Sequence, residues 1–137
     1  MQKDFQITTD RSKLDIDIVY HYLSSKSYWA KGRSLEKVTR SIENSLCFGV
    51  FEENRQVGFA RVVTDYAVFA WILDLFILDD YQGNGLGKFL MDHIVNYPDL
   101  QMVRRWGLNT KDAHGLYEQY GFQKIHDPEI HMQRIVE

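Results

Sequence analysis

Apolar residues recur along the chain at two spacings, near every second residue and near every third or fourth, and their succession predicts a mixed α/β fold. Residues 5–9 open as an extended piece. Ser12, followed three residues later by Asp15, starts a helix through about Leu23, and Ser34 starts a second with Leu35, Val38 and Ile42 at helical spacing. Residues 47–51 and 57–63 read as strands joined by the polar turn Glu52-Glu53-Asn54-Arg55, an antiparallel hairpin. A turn at Asp65-Tyr66-Ala67 leads into residues 68–78, which are apolar on both faces of the pleat apart from Asp74 and therefore central in the sheet. Leu86, Phe89, Leu90 and Ile94 mark a helix that stops before Pro98. Residues 105–109 form the next strand, Ala113, Leu116, Tyr117 and Tyr120 the last helix, Gly121 its stop, and residues 122–125 and 130–135 two closing strands. No repeat or Pro/Gly-rich linker interrupts the 137 residues, so one domain over residues 1–137 is expected.

Composition then narrows the function classes. An apolar share of 45% with 14% aromatics excludes disorder, and a net charge of -3 without any run of Lys/Arg gives no footprint for nucleic acid or an anionic membrane. No apolar run approaches the ~20 residues of a membrane span, and the first residues lack the apolar stretch of a secretory signal, so a cytoplasmic location is expected. The single Cys47, between Leu46 and Phe48, has no partner for an internal disulfide and reads as a buried, inert thiol. His21, His93, His126 and His131 show no metal-ligand spacing, and His114 reads as a solvated helical residue, so no metal is expected.

The candidate chemistry lies at the junction of the central strand and its following helix, in Tyr81-Gln82-Gly83-Asn84-Gly85-Leu86-Gly87-Lys88. Alternating glycines before a helix let backbone amides approach an anion, with help from the helix dipole. Two nucleotide loops fail on residue identity. A Walker loop ending at Gly87-Lys88 needs Gly at Gln82 and Ser or Thr at Phe89, and a dinucleotide fingerprint starting at Gly83 needs Gly or Ala at Lys88. The segment fits Gln/Arg-x-x-Gly-x-Gly/Ala and so resembles the coenzyme A signature of the GNAT superfamily of N-acetyltransferases. The run Leu108-Asn109-Thr110-Lys111-Asp112-Ala113-His114-Gly115-Leu116-Tyr117-Glu118-Gln119-Tyr120-Gly121-Phe122 is similar to that family's C-terminal element, which typically ends Leu-Tyr-x-x-x-Gly-Phe.

The resemblance spans essentially the whole chain and implies a central, mostly antiparallel sheet of about six or seven strands flanked by about four helices. It implies acetyl-CoA as co-substrate, held at its pyrophosphate by the amides of Gly83, Asn84, Gly85, Leu86, Gly87 and Lys88, with Gln82 beside them and Lys88 adding charge. A bulge in the central strand at Leu75, Phe76 and Ile77 is implied to offer backbone groups to the pantetheine arm and the acetyl carbonyl, while the side chains of Leu75 and Ile77 read as core. Asn109 stands next to Thr110, which occupies the position of a common coenzyme A-binding Asn. Tyr117 matches the tyrosine that often protonates the departing thiolate, although its place on the apolar stripe also suits a core residue. Asp74, the only charge in its strand, reads as a base or amine anchor, or as a partner of Arg61 or of backbone amides. Tyr28, Trp29 and Arg33 are implied to border the acceptor pocket, with Trp29 equally suited to the core. The leading reading is acetyl transfer to a primary amine by direct attack. A small-molecule acceptor is favoured over a protein lysine or N-terminus, and the mildly acidic chain favours a cationic one. The alternative is a module that binds coenzyme A or acyl-CoA without catalysis, and either a monomer or a homodimer is compatible with the sequence.

Overall fold

The computed structural model describes residues 4–136; residues 1–3 and 137, which the expected single domain includes, lie outside the described residues. The alternating segments pair into one sheet of five strands, in the spatial order of the chain: β1 (Phe5–Thr8), β2 (Leu46–Glu52), β3 (Arg55–Thr64), β4 (Phe69–Ile77) and β5 (Arg105–Leu108). The first three pairings are antiparallel, and β4 runs parallel to β5. The turn between β3 and β4 is fixed by Asp65, whose carboxylate accepts from the amides of Ala67, Val68 and Phe69, and these hold its carboxyl below its usual range.

Each face of the sheet buries a cluster. On one lie helix α1 (Ile16–His21), extended by a π turn over Tyr22–Lys26, and α2 (Leu35–Glu43); they pack Val19, Leu23, Val38 and Ile42 onto Cys47, Phe59 and Phe76. On the other, α3 (Leu86–Val95) packs Leu86, Leu90, Met91 and Ile94 against Phe48, Val62 and Ile72, beside the short α4 (His114–Glu118). Ser34 caps α2 by accepting from the Lys37 amide, as its position predicts.

Three expectations need correction. The first helix starts later, because Asp10 caps a separate 3-10 turn over Arg11–Lys13, and Asp15, accepting from the Ile18 amide, is the cap of α1. The sheet has five strands instead of about six or seven. The missing ones are the closing strands over residues 122–125 and 130–135: Pro128 opens a 3-10 turn, Pro128–Ile130, capped by Asp127, and the stretch pairs with no strand among the described residues. Ile125, Ile130, Met132 and Ile135 stay exposed there. An apolar alternation measures how a side chain fits a pleat, while a strand also needs an edge to receive its backbone.

Candidate active site

The bulge lies one residue earlier than implied by the resemblance. Phe59 pairs with Phe76 and Arg61 with Leu73, so Ala60 faces both Asp74 and Leu75. Asp74 takes a left-handed conformation with φ 56°, unusual outside glycine, which turns its carboxylate to the face carrying Arg61. On the other side of β4, pairing with β5 covers only residues 69–72 and ends at Ile72 and Leu108. Beyond that point the two strands part, and no strand pairs with residues 73–77 on this side among the described residues. A cleft of about 490 Å³ occupies the gap, with Leu75 on one wall and Asn109, Lys111 and Tyr117 on the other. Phe76 points to the opposite face and stacks on Tyr22 at 4.2 Å, and Ile77 is buried in the core, so of the three bulge candidates Leu75 alone lines the cleft with its side chain.

Past the end of β4 the chain turns through Asp79–Tyr81 into the glycine loop. Gln82 donates to the Ile77 carbonyl at 2.9 Å, which ties the loop back to the strand and spends its side chain on the protein. Asn84 donates to the Tyr81 carbonyl. Gly83 and Gly85 both have positive φ, 83° and 78°, and Gly85 is the residue from which α3 starts. The first helical bond runs from the Phe89 amide to the Gly85 carbonyl, and the amides of Gly83, Gly85, Leu86, Gly87 and Lys88 have no acceptor among the described residues. Leu86 anchors the loop in the core. Lys88 sits over the Tyr120 ring at 5.1 Å, within 3.4 Å of Gln119.

The third side of the cleft comes from the connection between α1 and α2. Tyr28 accepts at its hydroxyl from the Lys111 amide, and Lys111 Nζ lies 5.5 Å from its ring centre, so the connection is fastened to the loop after β5. Trp29 packs edge-on to Tyr28 at 5.0 Å and donates from Nε1 to Asp74 Oδ1 at 2.9 Å. Asp74 Oδ2 accepts from Arg33 at 2.8 Å and from Arg61 at 2.9 Å. With its side chain 1% exposed, this carboxylate accepts three hydrogen bonds, one on Oδ1 and two on Oδ2. Its geometry matches the pairing role that the sequence left open beside catalysis. Thr110 accepts from the Ala113 amide and so caps the approach to α4, leaving the exposed Asn109 facing the cleft. Tyr117 is 8% exposed, its ring edge-on to Phe122, and its hydroxyl has no hydrogen-bond partner among the described residues. Burial first, then Tyr28 and Asp112, push its phenol up to about 12, so it keeps its proton at neutral pH.

The structure thus brings Tyr28, Trp29, Arg33, Asp74, Leu75, Asn109 and Tyr117 to one cleft, with the glycine loop beyond the end of the same strand. Sequence reasoning missed Trp71 and Lys111 as cleft residues. The signal for Trp71 lay in Gly107: the two are register partners, and a Cβ on Gly107 would lie 2.2 Å from the Trp71 ring.

A family model for the "Acetyltransferase (GNAT) domain" matches residues 43–124, which includes β2 through α4. The chain belongs to the GNAT family of acetyltransferases. Among solved structures, an acetyltransferase assigned to the GNAT family in Xanthomonas campestris pv. campestris is 48% identical, with a TM-score of 0.93 over 96% of this chain and 93% of that one. An uncharacterized N-acetyltransferase from Gracilaria tenuistipitata var. liui is 33% identical over 82% of this chain and 71% of its own length. An acetyltransferase from Clostridium acetobutylicum, solved with acetyl-CoA, shares the fold at 16% identity and a TM-score of 0.69, covering 94% of this chain and 98% of that one. This GNAT chain is an N-acetyltransferase. Among the described residues no helix is long and apolar enough to cross a membrane.

Proposed function

We propose that this acetyltransferase moves acetyl from acetyl-CoA to the primary amine of a small molecule by direct attack, without a covalent enzyme intermediate. The observation that carries the reading is the parting of β4 from β5 beyond Ile72, with a protonated Tyr117 across the gap. The chain fits acetyl-CoA at two places. The amides of Gly83, Gly85, Leu86, Gly87 and Lys88 suit a pyrophosphate at the start of α3, and the unpaired edge of β4 suits the amides of a pantetheine arm. Acetyl-CoA supplies an activated thioester and a thiolate leaving group.

The residues of the chain do the rest. Backbone at the Asp74–Leu75 bulge, freed from sheet pairing on one side, donates to the acetyl oxygen as charge develops there; such donors contribute about 3 to 4 kcal/mol in acyl transfer. Tyr117 holds a proton at Oη for the departing sulfur and regains it from solvent. The acceptor must lose a proton to become nucleophilic, since an alkyl amine of pKa ~10.4 is neutral in about one molecule in a thousand at pH 7. We assign that proton to water in the open cleft and give Asp74 the role of holding Arg33 and Trp29 in place.

The decisive test of the donor site is protection against heat. Acetyl-CoA should raise the Tm of the parent protein, and Gly85→Glu should abolish that rise, because a carboxylate then occupies the site for the pyrophosphate. Protection that survives in Gly85→Glu would overturn the assignment of the loop.

A further inference from the structure

We infer that the acceptor is an α-amino acid with a hydrophobic side chain, whose carboxylate is bound by Arg33; the inference rests on the transferase reading above and names the substrate of that same cleft. The cluster around Asp74 points to an anionic group on the acceptor, where the overall composition favours a cationic one. One carboxylate, Asp74, faces two guanidinium groups, Arg33 and Arg61, and its oxygens are taken up by them and by Trp29. Arg33 and Lys111 balance Asp74 and Asp112 among the charged residues that line the cleft, and Arg61, behind Asp74, leaves the cluster of Arg33, Asp74 and Arg61 with one positive charge in excess.

Arg33 is also placed to bind an anion. Only one of its nitrogens is engaged by a described acceptor, the Asp74 carboxylate, while its side chain is 22% exposed and lines the cleft. Arg61, more deeply placed, spends Nε on Asp74 and another nitrogen on Ser45. The remaining fork of Arg33 therefore suits a planar carboxylate, which it can grip through two parallel hydrogen bonds. Asp74, 2.8 Å away, belongs to the bulge itself. In an α-amino acid the amine and the carboxylate share one carbon, so a carboxylate on Arg33 brings the amine to the bulge where the thioester is proposed to lie. Trp29, Tyr28 and Trp71 give the side chain an aromatic wall.

The test compares matched acceptors by release of coenzyme A thiol: phenylalanine against phenethylamine, tryptophan against tryptamine, and spermidine as a polycation. The acid of each pair should exceed its decarboxylated partner in kcat/KM by about tenfold or more, the range of a charge-assisted hydrogen bond. Arg33→Gln should bring that ratio toward one, and Arg33→Lys, which keeps the charge and loses the fork, should fall between. A parent preference for the bare amines or for spermidine, an unchanged ratio in Arg33→Gln, or silence across the panel while acetyl-CoA still raises the Tm would each overturn this inference and spare the donor site. Loss of acetyl-CoA protection in the parent would overturn the reading on which it rests.

Discussion

Tyr117 occupies the position where a core residue and a proton donor make the same demand. Burial against Phe122 raises its pKa to about 12, which keeps the phenol neutral, and a neutral phenol is also what a departing thiolate requires. Replacing Tyr117 with Phe preserves the ring and removes the proton; kcat should drop by on the order of a hundredfold while acetyl-CoA affinity holds. Single-turnover rates and a binding isotherm would separate the two effects, and an unaltered rate would return Tyr117 to the core. The residue was legible because its helix carries Leu116-Tyr117 four residues before Gly121-Phe122. Asp74 was legible as an odd charge in an apolar strand, but its partners were not all legible. Arg61 is near in sequence, whereas Trp29 and Arg33 reach it across more than forty residues of chain.

At the scale of elements, β4 governs the site twice, by its bulge and by the point where it leaves β5. Asp74→Ala removes the anion that Arg33 and Arg61 share and should cost about 3–5 kcal/mol, the usual penalty for stranding buried charge. Asp74→Asn, which keeps the shape, separates that charge effect from a packing loss; the denaturation midpoints in urea give both values. Gly107 sets how closely β5 approaches β4. Its replacement by Ala would drive a methyl into the Trp71 ring and should lower stability by roughly 1–3 kcal/mol while widening the cleft, an effect visible in Trp fluorescence and in the KM for the acceptor. Strands β2 to β4 and helices α2 and α3 were readable because each has its own turn, cap or apolar stripe. The stretch over residues 122–136 misled because apolar alternation was present and a receiving edge was not.

Across the whole molecule, the sheet separates two buried clusters, and each holds a group that loses acidity with burial. Cys47, on the α1 and α2 side, has its thiol pushed up from 9.0 to about 11 by burial, and Tyr117, on the α3 and α4 side, rises from 10.0 to about 12. Both bind their protons more tightly folded than unfolded. Stability should therefore be full below about pH 9 and fall as pH rises through about 11 and 12, by on the order of 2 kcal/mol for each group. Urea unfolding at pH 8 and pH 11 measures the fall, and Cys47→Ala should remove its lower part; a flat profile in the parent would refute the account. The sequence by itself determined the elements with local signals, the glycine loop and, through two spaced motifs, the family, because turns, caps and close backbone approach are dictated by residues a few positions apart. Only the tertiary structure decided the exact bulge, the three donors on Asp74 and the excess positive charge of the cluster that Arg33 and Arg61 form with it. Those depend on which distant side chains share one volume, and net composition, mildly acidic over the chain, carries no record of that local sign.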